Sequence, residues 1–220
     1  MNTELTTAVT DLLLSLFCFA AAWAVGRQSP ERSYHTGLWQ KLFLTYGAAA
    51  LFGYLYHRVE TKPAAQELWW LLLYPAIFEA TRHTLLAALY ARFGSARPGP
   101  TERRWIFGIE VALCGIAMVL RFFFRGVSLG MYLVFATVSA VLCLYHYGVL
   151  LREKRAEARC FFGGMFLVIL SIAAQRWQKG VIRLLWEFDN NGVCHLLLIA
   201  ALGLFFGGAV LSLRRESKNR

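Results

Sequence analysis

Seven blocks of apolar residues alternate with short polar stretches, at approximately 5–25, 37–57, 67–91, 105–121, 127–150, 160–178 and 192–213. Each approaches the ~20 residues that a helix needs to cross the hydrocarbon core of a bilayer. The longest breaks, "GRQSPERSYHTG" (26–37) and "FGSARPGPTERR" (93–104), hold the Gly, Pro and Ser that mark loops. Connections this short make consecutive helices antiparallel neighbours. No internal repeat divides the chain into related halves. The pattern predicts an all-α fold, a single seven-helix transmembrane bundle over residues 1–220.

Composition agrees with that pattern. Hydrophobic residues make up 58% of the 220, against about 45–50% in a soluble domain. The net charge of +10 gathers at the ends of the apolar blocks, where Lys and Arg set orientation and meet lipid headgroups. No basic face on a soluble domain is visible, which excludes a nucleic-acid binder. The five cysteines lie in or beside apolar blocks without a C-x-x-C pair and read as buried thiols. The first block has no basic region before it and no A-x-A site after it, so it is expected to be a retained helix.

Lys and Arg also predict the topology. With the N-terminus extracytoplasmic and the C-terminus cytoplasmic, the inner segments carry roughly twice as many as the outer ones. Arg92, Arg97, Arg103 and Arg104 and the loop "LREKRAEAR" (151–159) weigh most. Trp39, Trp69, Trp70, Trp105, Trp177 and Trp186 stand near block ends, as an aromatic belt would. Tyr145, His146 and Tyr147 read as interfacial anchors. No transit or retention signal is present, which points to a bacterial inner membrane.

The topology gives every polar residue a depth. Asp11 lies early in helix 1, His57 ends helix 2, Gln175 and Arg176 end helix 6, and Asp189, Asn191 and His195 open helix 7. All fall at the outer end. Polar groups in a membrane face protein or water, so these are expected to meet inside the bundle. Ala49, Gly53 and His57 share one face of helix 2, with small residues that allow close approach. Ala200, Gly203 and Gly207 suggest a similar face on helix 7, and Asn191 can cap that helix. His57 and His195, with Asp11 or alternatively Asp189 as a carboxylate, are the residue types that hold zinc with a position left open. The competing reading is two interfacial histidines hydrogen-bonded to their neighbours.

A second set lies deeper. Glu79, Arg82 and His83 share a face of helix 3 at i, i+3 and i+4, and Glu110 on helix 4 falls near the depth of Arg82. Pro75 can kink the helix above them. Such a set serves either as a proton or ion path or as an ion-pair network that fixes helix register.

A seven-helix chain with an outer N-terminus, a histidine on helix 2 and another on helix 7 resembles the superfamily of alkaline ceramidases and adiponectin receptors. These are membrane hydrolases, or hydrolase-like receptors, that bind zinc through three histidines. Their pattern has a serine four residues before the helix-2 histidine, an aspartate some ten residues after it, and H-x-x-x-H on helix 7. Here "GYLYH" (53–57) puts Gly53 at the serine, Glu67 stands at the aspartate, and "NGVCH" (191–195) puts Asn191 at the first histidine. "TDLLLSL", "FGYLYH" and "FDNNGVCHLLL" also resemble an uncharacterised group of small seven-span membrane proteins, which implies no activity. The resemblance implies a zinc-dependent hydrolase of a lipid amide or ester, with a reduced ligand set. The alternative is a non-enzymatic multi-span protein, either a small transporter that uses the Glu79–Arg82–His83 set or a structural partner. The expected partners are the bilayer and a lipid substrate.

Overall fold

The computed structural model describes residues 3–28, 33–59, 63–94, 98–176, 182–183 and 187–218. Each apolar block becomes a helix: α1 (Thr3–Gln28), α2 (Tyr34–Arg58), α3 (Pro63–Phe93), α4 (Pro100–Phe123), α5 (Arg125–Arg152), α6 (Ala156–Arg176) and α7 (Asn190–Lys218). Most run past the apolar limits read from the sequence, because a helix continues through its polar boundary residues until a cap or a proline stops it. Ser33 caps α2 through a hydrogen bond from the Thr36 amide. Pro100 opens α4, and Glu102 accepts from the Gly99 amide. α3 continues unbroken through Pro75. One residue, Phe124, joins α4 to α5. A two-residue antiparallel hairpin, β1 (Ile182–Arg183) with β2 (Glu187–Phe188), precedes α7 and was not expected.

Five helices, α1, α4, α5, α6 and α7, are long and apolar enough to cross a membrane. At 25 and 31 residues, α2 and α3 have the length but not the apolarity. Side-chain contacts bring the starts of α1, α3, α5 and α7 to one end of the bundle, called here the amino end. The starts of α2 and α6 and the close of α7 meet at the opposite, carboxyl end. The most extensive packing joins α1 to α2, α6 to α7 and α2 to α3.

Close helix approach depends on small residues. A Cβ on Gly47 would lie 2.9 Å from the Phe19 ring, and one on Gly164 would lie 2.9 Å from the Ala201 carbonyl. On α7 the packed face is Ala201, Phe205, Gly208 and Ala209, not the expected Ala200, Gly203 and Gly207. Ala200 is exposed and Gly203 faces open space, so the buried stripe lies one residue further round the helix.

The aromatic core sits toward the carboxyl end. Trp39 stacks on Phe161 at 4.9 Å between ring centres, and Tyr147 stacks on Phe161 at 5.0 Å. Trp39 and Tyr147 are therefore core residues and not interfacial anchors. Trp105 and Tyr145 are exposed, as the sequence suggested, and Trp177 and Trp186 lie outside the described residues. His146 meets Arg92 at 3.0 Å.

Candidate functional site

The amino-end cluster is built on one face of α1. In "TELTTAVTD", Glu4, Thr7 and Asp11 follow i, i+3, i+7 spacing, and Thr10 adjoins them. α2 ends against this face at His57, and α7 begins against it at His195.

Asp189 takes a different role from Asp11. Its Oδ1 accepts from the Gly192 amide and from the Thr7 hydroxyl, both at 2.8 Å. Asp189 is thus the cap of α7 and its tie to α1, the place the sequence offered to Asn191.

Asp11 occupies the centre. Its side chain is 5% exposed, and His195 Nε2 lies 3.3 Å from Oδ1. His57 Nε2 lies 4.0 Å from Oδ2. Asp11 Oδ2 is buried and has no hydrogen-bond partner. Gly53 makes room for the carboxylate, since a Cβ there would stand 2.8 Å from Oδ2.

The far nitrogens of both rings are held from α1. His57 Nδ1 lies 2.7 Å from Glu4 Oε2, a carboxylate that can only accept, so Nδ1 carries the proton. Thr10 Oγ1 donates its single proton to the Thr7 carbonyl at 2.8 Å. It must therefore accept from His195 Nδ1, 3.2 Å away. In the neutral form of each ring, Nε2 turns a lone pair toward Asp11.

Two lone pairs and a buried carboxylate facing one another are electrostatically incomplete. One cation at the centre, a proton or a metal ion, completes them. A carboxylate or hydroxyl on the far nitrogen of a metal-binding histidine is the usual means of fixing its tautomer. Histidine and aspartate are residue types that zinc takes. His57 stands further out than His195, and among the described residues no group of three His, Cys, Asp or Glu side chains is arranged to hold a metal ion.

The cluster opens into a cavity of about 370 Å³ that runs down the bundle axis. Glu4, His57, Asn191 and Gln175 border it, and its deeper wall includes Ile77, Leu133, Met165 and Leu198. Glu67, at the aspartate of the resemblance, does not line it. Its carboxylate receives Arg121 at 3.1 and 3.2 Å.

The second set also forms. Arg82 Nε lies 2.8 Å from Glu79 Oε2 and 2.6 Å from Glu110 Oε2. Its proton goes to Glu79, so Glu110 Oε2 is held by charge without a hydrogen bond. His83 joins through the Glu79 carbonyl, 2.9 Å from Nδ1, rather than the carboxylate at 3.9 Å. None of Glu79, Arg82, His83 and Glu110 lines the axial cavity; they border separate ones.

Sequence reasoning brought together His57, His195 and Asp11 but missed Glu4 and Thr10. Their signal was the shared α1 face with Asp11.

No curated protein matches the sequence. Residues 6–213 match the model of a family of unknown function (DUF6962), and the chain belongs to that family.

Proposed function

We propose that all seven helices cross the bilayer, with the N-terminus outside the cytoplasm and the C-terminus inside, and that the amino-end cluster is the zinc site of a lipid amide or ester hydrolase. One observation carries the site: the Nε2 atoms of His57 and His195 and the unpartnered Asp11 Oδ2 converge where the axial cavity begins. The orientation is supported by Arg92, Arg103, Arg104, Arg155 and Arg215, which cluster toward the carboxyl end.

His57 and His195 would hold the ion through Nε2 and Asp11 through its carboxylate, while Glu4 and Thr10 fix the rings. Zinc so held supplies Lewis acidity and a nucleophile near neutral pH. The protein's own contribution is to position the ligands, to exclude bulk water and to seat an apolar chain. The axial cavity exposes more apolar than polar lining, which suits one acyl chain with its polar linkage near Asp11.

Zinc analysis of the purified protein tests the site. Stoichiometric zinc that is lost in His57→Ala and in His195→Ala is expected. Zinc-free protein after zinc exposure, or zinc indifferent to both changes, overturns it. A C-terminal reporter tests the orientation, and an extracytoplasmic signal refutes it. The second reading is a non-enzymatic membrane protein, favoured by Asn191 where the resemblance has a zinc-binding histidine. Zinc without turnover of fluorogenic lipid amides and esters would select it.

A further inference from the structure

A second cavity, of about 520 Å³, lies at the carboxyl end between the start of α2, the later half of α3 and the start of α4. Its lining is basic. Lys41, Arg82 and Arg103 reach it from three different helices, and Ser33, Tyr34 and Thr36 add hydroxyls. The cations differ in how they are committed. Arg82 is held by Glu79 and Glu110. Arg103 stacks over the Tyr34 ring at 5.1 Å. Neither Arg103 nor Lys41 has a carboxylate partner among the described residues. Two cations that line one cavity without a counter-charge among the described residues repel each other, and an anion between them removes that cost.

The amino end of α2 points the same way. Ser33 takes the Thr36 amide, and the Gly37 amide reaches the Ser33 carbonyl. The amides of Tyr34 and His35 head the 25-residue helix with no intrahelical acceptor. Ser33 and Tyr34 line the cavity, so the positive end of the helix dipole lies beside its side-chain cations, the arrangement that takes phosphate. His83 gives the wall one acceptor, because its Nδ1 donates to the Glu79 carbonyl and leaves Nε2 a lone pair. An acceptor beside an anion site suits a hydroxyl carried next to the phosphate.

We propose that this cavity binds a negatively charged phosphate group bearing a neighbouring hydroxyl, with Lys41 and Arg103 as its charge partners and the amino end of α2 as its backbone donor. The phosphate is common to a phosphatidylglycerol headgroup and to free phosphate, and the neighbouring hydroxyl belongs to the headgroup alone. It is independent of the amino-end cluster, which lines a different cavity.

Binding to the full chain in neutral detergent, read by native mass spectrometry and thermal shift, tests it. Three probes are compared: short-chain phosphatidylglycerol, phosphatidylcholine of the same chain length, and inorganic phosphate. Binding of phosphatidylglycerol about tenfold tighter than phosphatidylcholine is expected. Lys41→Gln and Arg103→Gln should each remove about that factor, and Lys41→Arg should retain it. Competition by inorganic phosphate at comparable concentration assigns the site to free phosphate, and its failure assigns the site to the lipid. Equal binding of both lipids without phosphate binding overturns the proposal. So does undiminished affinity in the double Gln variant, provided that its thermal unfolding matches the parent.

Discussion

Two buried histidine clusters, one at each end of the bundle, use similar parts to different ends. At the carboxyl end, His35 Nδ1 lies 2.9 Å from Glu216 Oε2, and its Nε2 accepts from Trp39 Nε1 at 2.9 Å. Every ring atom that can bond does so. At the amino end the Nδ1 atoms are equally well held, by Glu4 and Thr10, yet both Nε2 atoms face a buried carboxylate with an orphan oxygen. Burial, histidine and carboxylate are common to both. What separates a structural joint from a candidate reactive site is the balance of donors and acceptors. His35 closes a network of α2 with α7, and Glu157 with Arg215 ties in α6 nearby. The amino-end cluster is left open.

The difference can be broken from either side. The largest effect should come from His57→Ala with His195→Ala, which abolishes stoichiometric zinc by elemental analysis while the fold survives in circular dichroism. His35→Ala should do the reverse. It strands the Trp39 N–H and should cost about 2–3 kcal/mol in chemical unfolding, with zinc content unchanged. Zinc lost along with His35 would erase the distinction.

Thr10→Val removes the acceptor that sets the His195 tautomer and should weaken zinc binding about 10–100-fold in competition with a chelator. Gly53→Ala tests the same geometry from α2. Its methyl would displace the Asp11 carboxylate, and a loss of about tenfold is expected. The smallest effect belongs to a position in neither cluster. Lys154 holds φ 55° at the end of α5, where Lys154→Gly should stabilise the fold by about 1 kcal/mol and alter no ligand binding.

Much of this was legible in the residue pattern. Seven apolar blocks gave seven helices, and assigning each polar residue a depth was enough to bring Asp11, His57 and His195 together. Spacing alone did not show which neighbour each face would meet. Glu4 carried no signal in the sequence beyond the α1 face it shares with Asp11, because only the closing turn of α2 brings an imidazole to it. The α7 stripe was misplaced by one residue, since Ala200 and Ala201 are equally small and the close approach of Gly164 on α6 to Ala201 decides which is buried. Trp39 and Tyr147 resembled belt residues by position, but stacking on Phe161 draws both inward. α2 and α3 were read as apolar blocks like the rest, but their polar content keeps them below the apolarity of a membrane span and supplies His57, Lys41 and Arg82.

The cluster's parts are far apart in the order of synthesis. α1 contributes Glu4, Thr7, Thr10 and Asp11, whereas Thr7 and Thr10 find Asp189 and His195 only 182 and 185 residues later. During synthesis the first helix must therefore wait, with Asp11 only partly surrounded, until the last helix arrives. Completion of the cluster coincides with completion of the bundle. A chain truncated before Asp189 leaves Thr7 without its carboxylate partner and Asp11 with His57 alone, a chemical mark that separates an unfinished copy from a finished one.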